Sequence, residues 1–475
     1  VIHGEVKPLV REGDYRSVRQ HAWRNMMIVA CLWSLLLYTL ISAFVQPATA
    51  LATETNNSMT ETAQGSTDGQ STPSTGDNFL GLQVFSAFLI EAETGQVLYE
   101  YNADQPWEPA SMVKMMTEYL VLEAIAQGKF DWDSIVVISK KADATGGSGQ
   151  LLAEGHKYRV RDLFNQMSIF SANDASVALA EYVAGTEELF VDMMNEKARE
   201  FGLSEYAHFS NATGLPNELY GDFAPNTSGT NQMTARDAAK IAQRLLKDHP
   251  EILEFSSKPQ EYRREGDTST ELMDNWNRML ESWIPIGNLW AKMYAYEGMD
   301  GLKTGHTNSA GYNFTGTAVR NGLRLISVVM RAENEDMRFG ETRKLLDYGF
   351  NNFERRTVIS AKTEMEELPS VKIKRGKSLE VPLVTQSGLE LIMKKEETND
   401  VLEITAEPVD EEQLVAPIKQ GDVLGTLTVK YGKDVVHTIN LVAAEDVEKA
   451  GWLTLFFRAI GNFFKDIWNS ILNIF

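Results

Sequence analysis

Cysteine is nearly absent: the 475-residue chain holds one, Cys31, so neither a disulfide framework nor a thiolate metal site can be built. Basic residues are also in deficit. Lys and Arg number 45 against 66 Asp and Glu, a formal net charge of -21, which repels a phosphate backbone and argues against nucleic acid as a partner. There is no internal repeat, and the one glycine-flanked Lys-Thr lacks the Gly-x-x-x-x-Gly-Lys pattern of a phosphate loop. No metal and no cofactor are expected.

Long apolar runs are confined to one place. Residues 26–45, MMIVACLWSLLLYTLISAFV, follow Arg19 and Arg24 and precede Ala48-Thr49-Ala50, the layout of a secretory signal cut near Ala50. The same run is long enough to stay as a transmembrane anchor. If the signal is cut, cysteine chemistry leaves the mature protein with it. Residues 1–50 are thus read as an N-terminal extension and signal peptide. Residues 51–77, rich in Thr, Ser, Gly and Asn, cannot repay the entropy of ordering and read as a flexible linker.

The rest of the chain is globular in texture, with 43% hydrophobic residues overall, enough for a full core and two domains. VFSAFLIEAETGQVLYEYNAD, from Val84, reads as a hairpin around Glu93-Thr94-Gly95. Helical periodicity dominates from 111 to about 255, as in LFVDMMNEKAREFGL and TARDAAKIAQRLLKDH. Strand texture returns at 314–332, with Asn321-Gly322 as a hairpin turn, and KLLDYGFNNF is again helical. Strands, helices, then strands predict an α+β domain over 78–355, a sheet flanked by helices. Short alternating runs over 356–445 predict a smaller all-β domain. Residues 446–475 end in WLTLFFRAIGNFFKDIWNSILNIF, which sets Leu453, Phe456, Phe457, Ile460, Phe464, Ile467, Ile471 and Phe475 on one helical face. That pattern predicts an amphipathic helix lying in a membrane surface.

Three short elements carry chemistry. In Ser111-Met112-Val113-Lys114 the i and i+3 positions share a helix face, so the lysine lies against the serine. A serine hydroxyl needs a neighbour to take its proton, and a lysine serves only if its pKa is pulled toward neutrality. At a helix start the Ser111 N–H is also free to face an oxyanion. Taken alone, the pair is equally a serine cap with a solvated lysine. Ser171-Ala172-Asn173 precedes a second helical run, and Lys303-Thr304-Gly305-His306 precedes a strand. No motif links His306 to an Asp or Glu, so it is not read as a catalytic base.

In this order the three elements resemble the penicillin-interacting serine hydrolases, which include β-lactamases and D,D-peptidases. The text around them, AETGQVLYEYNADQPWEPASMVKMMT, FSNATGLPN and DGLKTGHTNSAGYNFTGTA, is similar to the low-molecular-mass penicillin-binding proteins of the D-alanyl-D-alanine carboxypeptidase type. The resemblance spans about residues 80–440. It implies a β-lactamase/D,D-peptidase-like antiparallel sheet, and a substrate that is a peptidoglycan stem peptide ending in D-Ala-D-Ala. It further implies β-lactam antibiotics as covalent inhibitors, and a place on the outer face of the bacterial cytoplasmic membrane.

Carried onto this sequence, the resemblance implies that Ser111 attacks the carbonyl between the two D-alanines, with Lys114 as base. Ser171 and Lys303 would relay a proton to the leaving D-alanine, and Asn173 would hold the substrate amide. Thr304 would help bind the terminal carboxylate, and Gly305 would let the edge strand approach the substrate backbone. The His306 N–H would complete the oxyanion hole with that of Ser111. Two ammonium groups in one cleft disfavour each other's charge, which suits Lys114 as a base beside Lys303. Arg338 lies near the place where such proteins have a carboxylate-binding arginine, but its local spacing assigns it no role.

Two other functions compete. A serine β-lactamase needs a carboxylate to activate the deacylating water; Glu271 and Asn275 match Glu-x-x-x-Asn and read as a chance match. A non-catalytic penicillin-binding surface sensor would not need all five of Ser111, Lys114, Ser171, Asn173 and Lys303.

Overall fold

Glycine at position 95 closes the first hairpin, at φ 76, a conformation that costs residues with a Cβ but not glycine. It joins β1 (Ser86–Glu91) to β2 (Val97–Tyr101), which pair antiparallel. The computed structural model describes residues 76–287, 289–432 and 435–472. The expected signal peptide and nearly all of the expected linker lie outside the described residues.

Three later strands complete the sheet: β3 (Met299–Thr307), β4 (Gly311–Arg320) and β5 (Leu323–Ala332). Asn321 (φ 50) and Gly322 (φ 78) turn the chain between β4 and β5, as a two-residue hairpin with both central residues left-handed requires. The spatial order is β2-β1-β5-β4-β3, antiparallel throughout. β3 is therefore an edge, with one side of its backbone left unpaired by the sheet.

Among the described residues, six helices of ten residues or more cover this sheet: α1 (Lys114–Ala126), α2 (Val160–Ile169), α3 (Asn173–Ala184), α4 (Glu187–Glu200), α5 (Ala235–Asp248) and α6 (Glu335–Asn352). Alternation along the strands divides the core between the two faces. Phe88 and Ile90 of β1 join Ile326, Val328 and Met330 of β5 in the cluster shared with α1 to α5. Ala87, Leu89, Leu325 and Val329 point the other way, onto Phe339, Leu345, Leu346 and Phe350 of α6. The α+β expectation of an antiparallel sheet between helices is met. Helix α1 is apolar nearly all round, and ten of its thirteen residues are buried, which places it inside the helical layer rather than on its surface.

The all-β region follows directly. β6 (Phe353–Ile359) pairs with β9 (Leu389–Lys394), and a five-stranded sheet runs β7-β8-β12-β11-β10. Its members are β7 (Ser370–Lys372), β8 (Glu380–Thr385), β10 (Leu402–Pro408), β11 (Val423–Tyr431) and β12 (Val435–Ala443). Inward residues such as Val381, Leu383, Leu427, Val429 and Leu441 form a core of their own. Val447 joins that core, and bridges Ile418–Val447 and Gly376–Lys449 prolong it past 445. Helix α7 (Trp452–Leu472) starts only after Gly451. Arg458 ties it to the β region by donating to the carbonyls of Gly376 and Lys377, each at 2.6 Å. Among the described residues no helix is long and apolar enough to cross a membrane.

Candidate active site

Ser111 lies in a short 3-10 turn, Ala110–Val113, that leads straight into α1. No side-chain cap closes either element, so the serine is not the helix cap that its position allows. The turn is held from two sides. A Cβ on Gly214 would stand 1.9 Å from the Ala110 carbonyl oxygen, and one on Gly305 would stand 2.4 Å from that of Pro109. Only glycine permits both approaches. Gly305 thus seats β3 against the protein's own nucleophile turn, a different packing role from the substrate approach expected for it.

Lys114 is fully buried, far from the solvated lysine of the plain reading. Its Nζ lies 3.0 Å from Ser111 Oγ, 2.7 Å from Asn173 Oδ1 and 2.8 Å from the Thr213 carbonyl oxygen. None of these neighbours is a carboxylate. Burial lowers its pKa well below the usual lysine value, and the Lys303 charge lowers it further, against Glu118 and Asp174. Amide and peptide oxygens can only accept. A neutral Lys114 must therefore spend its two hydrogens on Asn173 and Thr213, which turns its lone pair toward the Ser111 hydroxyl.

Thr213 is set in place by the Asn211 side chain, whose Oδ1 accepts from the N–H groups of Thr213 (3.1 Å) and Gly214 (2.8 Å). Asn173 opens α3. Its Nδ2 donates to the Gly146 carbonyl at 2.9 Å, so both ends of its amide are engaged with the protein, one of them on Lys114. Ser171 sits two residues earlier at φ 64, a strained conformation for a residue with a Cβ and one that clusters at functional sites. Its Oγ accepts from Lys303 Nζ at 2.9 Å. Lys303 is buried on β3. Burial pulls its pKa down to about 8, helped by Arg338 and resisted by Glu118.

Ser111, Ser171, Thr304 and His306 line one cavity of about 360 Å³, together with Ser148, Trp276, Tyr312, Glu335 and Arg338. All the residues of the three sequence elements thus meet on one cleft or directly behind it. The His306 ring lies 4.1 Å from that of Tyr312. Burial lowers its pKa and Arg338 adds to the effect. Glu271 is exposed, and Asn275 donates to the carbonyls of Ser256 and Lys258; neither lines the cleft. A larger hollow of about 690 Å³, with Glu281, Arg320, Glu354 and Lys395 on its walls, holds none of the serine and lysine pairs.

Arg338, which the resemblance placed near a carboxylate-binding arginine without assigning it to the site, lines the cleft. It is buried on α6, its Nη2 is 3.1 Å from Glu335 Oε1, and burial brings its pKa down to about 10. The local text around it carried no spacing that pointed at the Lys303 strand; Trp276, Tyr312 and Glu335 had no signal at all. Among the described residues no three His, Cys, Asp or Glu side chains gather as a metal site would need.

Residues 75–334 match the family described as D-alanyl-D-alanine carboxypeptidase, and residues 353–449 match the C-terminal domain of penicillin-binding protein 5. The D-alanyl-D-alanine carboxypeptidase DacF of Bacillus subtilis (strain 168) is 34% identical over 380 residues, 80% of this chain and 90% of that protein. DacC of Escherichia coli (strain K12), with the same enzyme name, is 33% identical over 391 residues, 81% of this chain and 86% of that one. The crystal structure of a peptidoglycan synthesis regulatory factor, PBP3, from Streptococcus pneumoniae superposes with a TM-score of 0.64 at 30% identity, covering 77% of this chain and all of that one. With these matches running through both folded regions, the chain belongs to the D-alanyl-D-alanine carboxypeptidase family.

Proposed function

We propose that this protein is a serine-type D-alanyl-D-alanine carboxypeptidase that removes the terminal D-alanine from peptidoglycan stem pentapeptides. The observation that carries the reading is the fully buried Lys114, which has two obligate acceptors and one serine hydroxyl around its nitrogen. In its neutral form it takes the Ser111 proton as Oγ attacks the carbonyl between the two D-alanines. The N–H groups of Ser111 and His306 face the oxyanion. Lys303 passes a proton through Ser171 to the leaving D-alanine, and water then releases the shortened peptide. Arg338 and Thr304, both on the cleft wall, take the substrate's terminal carboxylate. Asn173 serves first to aim Lys114, since its Oδ1 is on that nitrogen.

Penicillin would acylate the same serine. A β-lactamase is the weaker reading, because Glu271 stands outside the cleft and no other residue matches the expected carboxylate pattern. We further propose that the enzyme is exported and held at the outer face of the cytoplasmic membrane by α7.

Release of D-alanine from diacetyl-Lys-D-Ala-D-Ala tests the reaction, with Ser111→Ala as the control. The expected result is release by the parent protein, and loss of both release and covalent labelling by a fluorescent penicillin in the variant. Labelling without release would leave only a sensor, and rapid penicillin turnover would make it a lactamase.

A further inference from the structure

Helix α1 lies in the helical core, yet it carries a second ionisable group one turn beyond Lys114. Four residues on is the same helix face, so Glu118 stands directly behind the nucleophile and its lysine. It is 2% exposed. Its Oε1 lies within hydrogen-bond geometry of no partner, and neither do Asn165 Nδ2 and Gln166 Oε1 on α2, the helix packed beside it; the Ser168 hydroxyl on the same helix is the neighbouring donor that favours its charged form. A carboxylate kept in a core for structural reasons is normally consumed by hydrogen bonds, because an unpaired buried charge is strongly destabilising. Here the help comes from the Ser168 hydroxyl and from lysine charge. The charges that act on it most are those of Lys303 and Lys114.

The proposed reaction asks two buried lysines in one cleft to hold opposite protonation states, Lys114 neutral and Lys303 cationic. Resting on that reaction, we propose that Glu118 is a positioning residue whose buried carboxylate is the counter-charge that keeps Lys303 protonated. With it, the three groups sum to zero charge in a place where a net charge is expensive.

The directions agree with this role. Burial pushes the Glu118 carboxyl up to about 7 while Lys303, the largest opposing influence, holds it down. In return Glu118 raises Lys303 against burial and Arg338, to about 8, and it raises Lys114 as well. The other charged groups around this cluster are Asp174 at the start of α3, Arg338 on α6, and Lys258, whose Nζ is 3.5 Å from Asn165 Oδ1 and is paired with Glu261 and Glu265. All of them remain when Glu118 alone is changed.

The test is the pH profile of kcat/KM for diacetyl-Lys-D-Ala-D-Ala in wild type and Glu118→Gln, which keeps the shape and removes the charge. The alkaline limb reports loss of the Lys303 proton, and removing an anion that raises its pKa must move that limb to lower pH. A shift of about one pH unit gives about a fivefold loss at pH 8 and less than a twofold change at pH 6. The acid limb, set by Lys114, moves the same way. A wild type that releases D-alanine, with a Glu118→Gln profile superposed on its own, overturns the counter-charge and leaves the reaction standing. A readout independent of turnover is carboxyl-¹³C glutamate titration. One carboxyl should titrate near 7, absent in Glu118→Gln, and its midpoint should rise in Lys303→Met because the cation that lowers it is gone. An unmoved midpoint overturns the proposal even if Glu118→Gln fails to fold or the wild type proves inactive.

Discussion

At the scale of single residues, the chemistry turns on whether Lys114 can be neutral at working pH. Burial is the first cause of its lowered pKa, and the Lys303 charge is the second, so the answer comes from the fold and not from the pair itself. Lys114→Met keeps an apolar chain of similar reach in a buried place but removes the lone pair. Positioned bases contribute about 10² to 10⁴ in rate, so penicillin acylation of Ser111 should fall about 10³-fold, read as the rate of covalent labelling. A rate within tenfold of the parent would show that another group takes the proton. The serine, the lysine and the Ser-x-Asn and Lys-Thr-Gly elements were legible because each is a local pattern with a chemical reason. Arg338 was suggested by resemblance alone, since it reaches the cleft from a helix that packs across the sheet, and no spacing rule connects that helix to β3. The carbonyls that hold Asn173 and Lys114 were also hidden, because Gly146 and Thr213 come from loops brought together only in three dimensions.

At the scale of elements, the site is a meeting of the nucleophile turn, the edge strand and the Asn211 to Leu215 loop, and glycines set the distances between them. Gly214 has both a φ of 80 and a carbonyl 1.9 Å from where a Cβ would be. Gly214→Ala therefore incurs backbone strain and overpacking together, an expected loss of about 3 kcal/mol. For a domain of this size that lowers Tm by about 6–12 °C. Gly128→Ala is the control, for its φ is 71 with open space around the new methyl, and its cost should stay near 1 kcal/mol. The loop carries the Thr213 carbonyl away from Lys114 when it yields, so acylation by penicillin should slow in the first variant and not in the second. Equal Tm losses in the two would mean that the close approach is relieved without consequence. The hairpins were readable from Glu93-Thr94-Gly95 and Asn321-Gly322, whose turn chemistry is local. The 3-10 turn before α1 was not, and α1 itself has no polar face to give it a period, since tertiary packing covers every side.

At the scale of the whole molecule, the excess of acid over base and the separate β region leave α7 as the unusual part. Trp452, Leu453, Phe456, Phe457, Ile460, Phe463 and Phe464 are all more than a third exposed, from 38% to 79%. Their apolar character and helical spacing were plain in the sequence, and the amphipathic run opens at Trp452 in both sequence and structure; the end of the β region was not plain, because Val447, beyond the expected boundary at 445, belongs to its core. Seven large apolar side chains moved out of water at about 1.5 kcal/mol each give roughly 10 kcal/mol before ordering costs, ample for holding a protein on a bilayer surface. Arg458 is spent on the carbonyls of Gly376 and Lys377, so attraction to anionic headgroups is secondary and the association should survive raised salt. A chain beginning after Ala50 and ending at Gly451 keeps the whole β core and the cleft. It should stay in the supernatant when centrifuged with phospholipid vesicles, while the same chain carried through to Phe475 sediments with them at low and at high salt, and both should release D-alanine at rates within twofold. Sedimentation of the shortened chain with vesicles would place the membrane contact elsewhere on the protein.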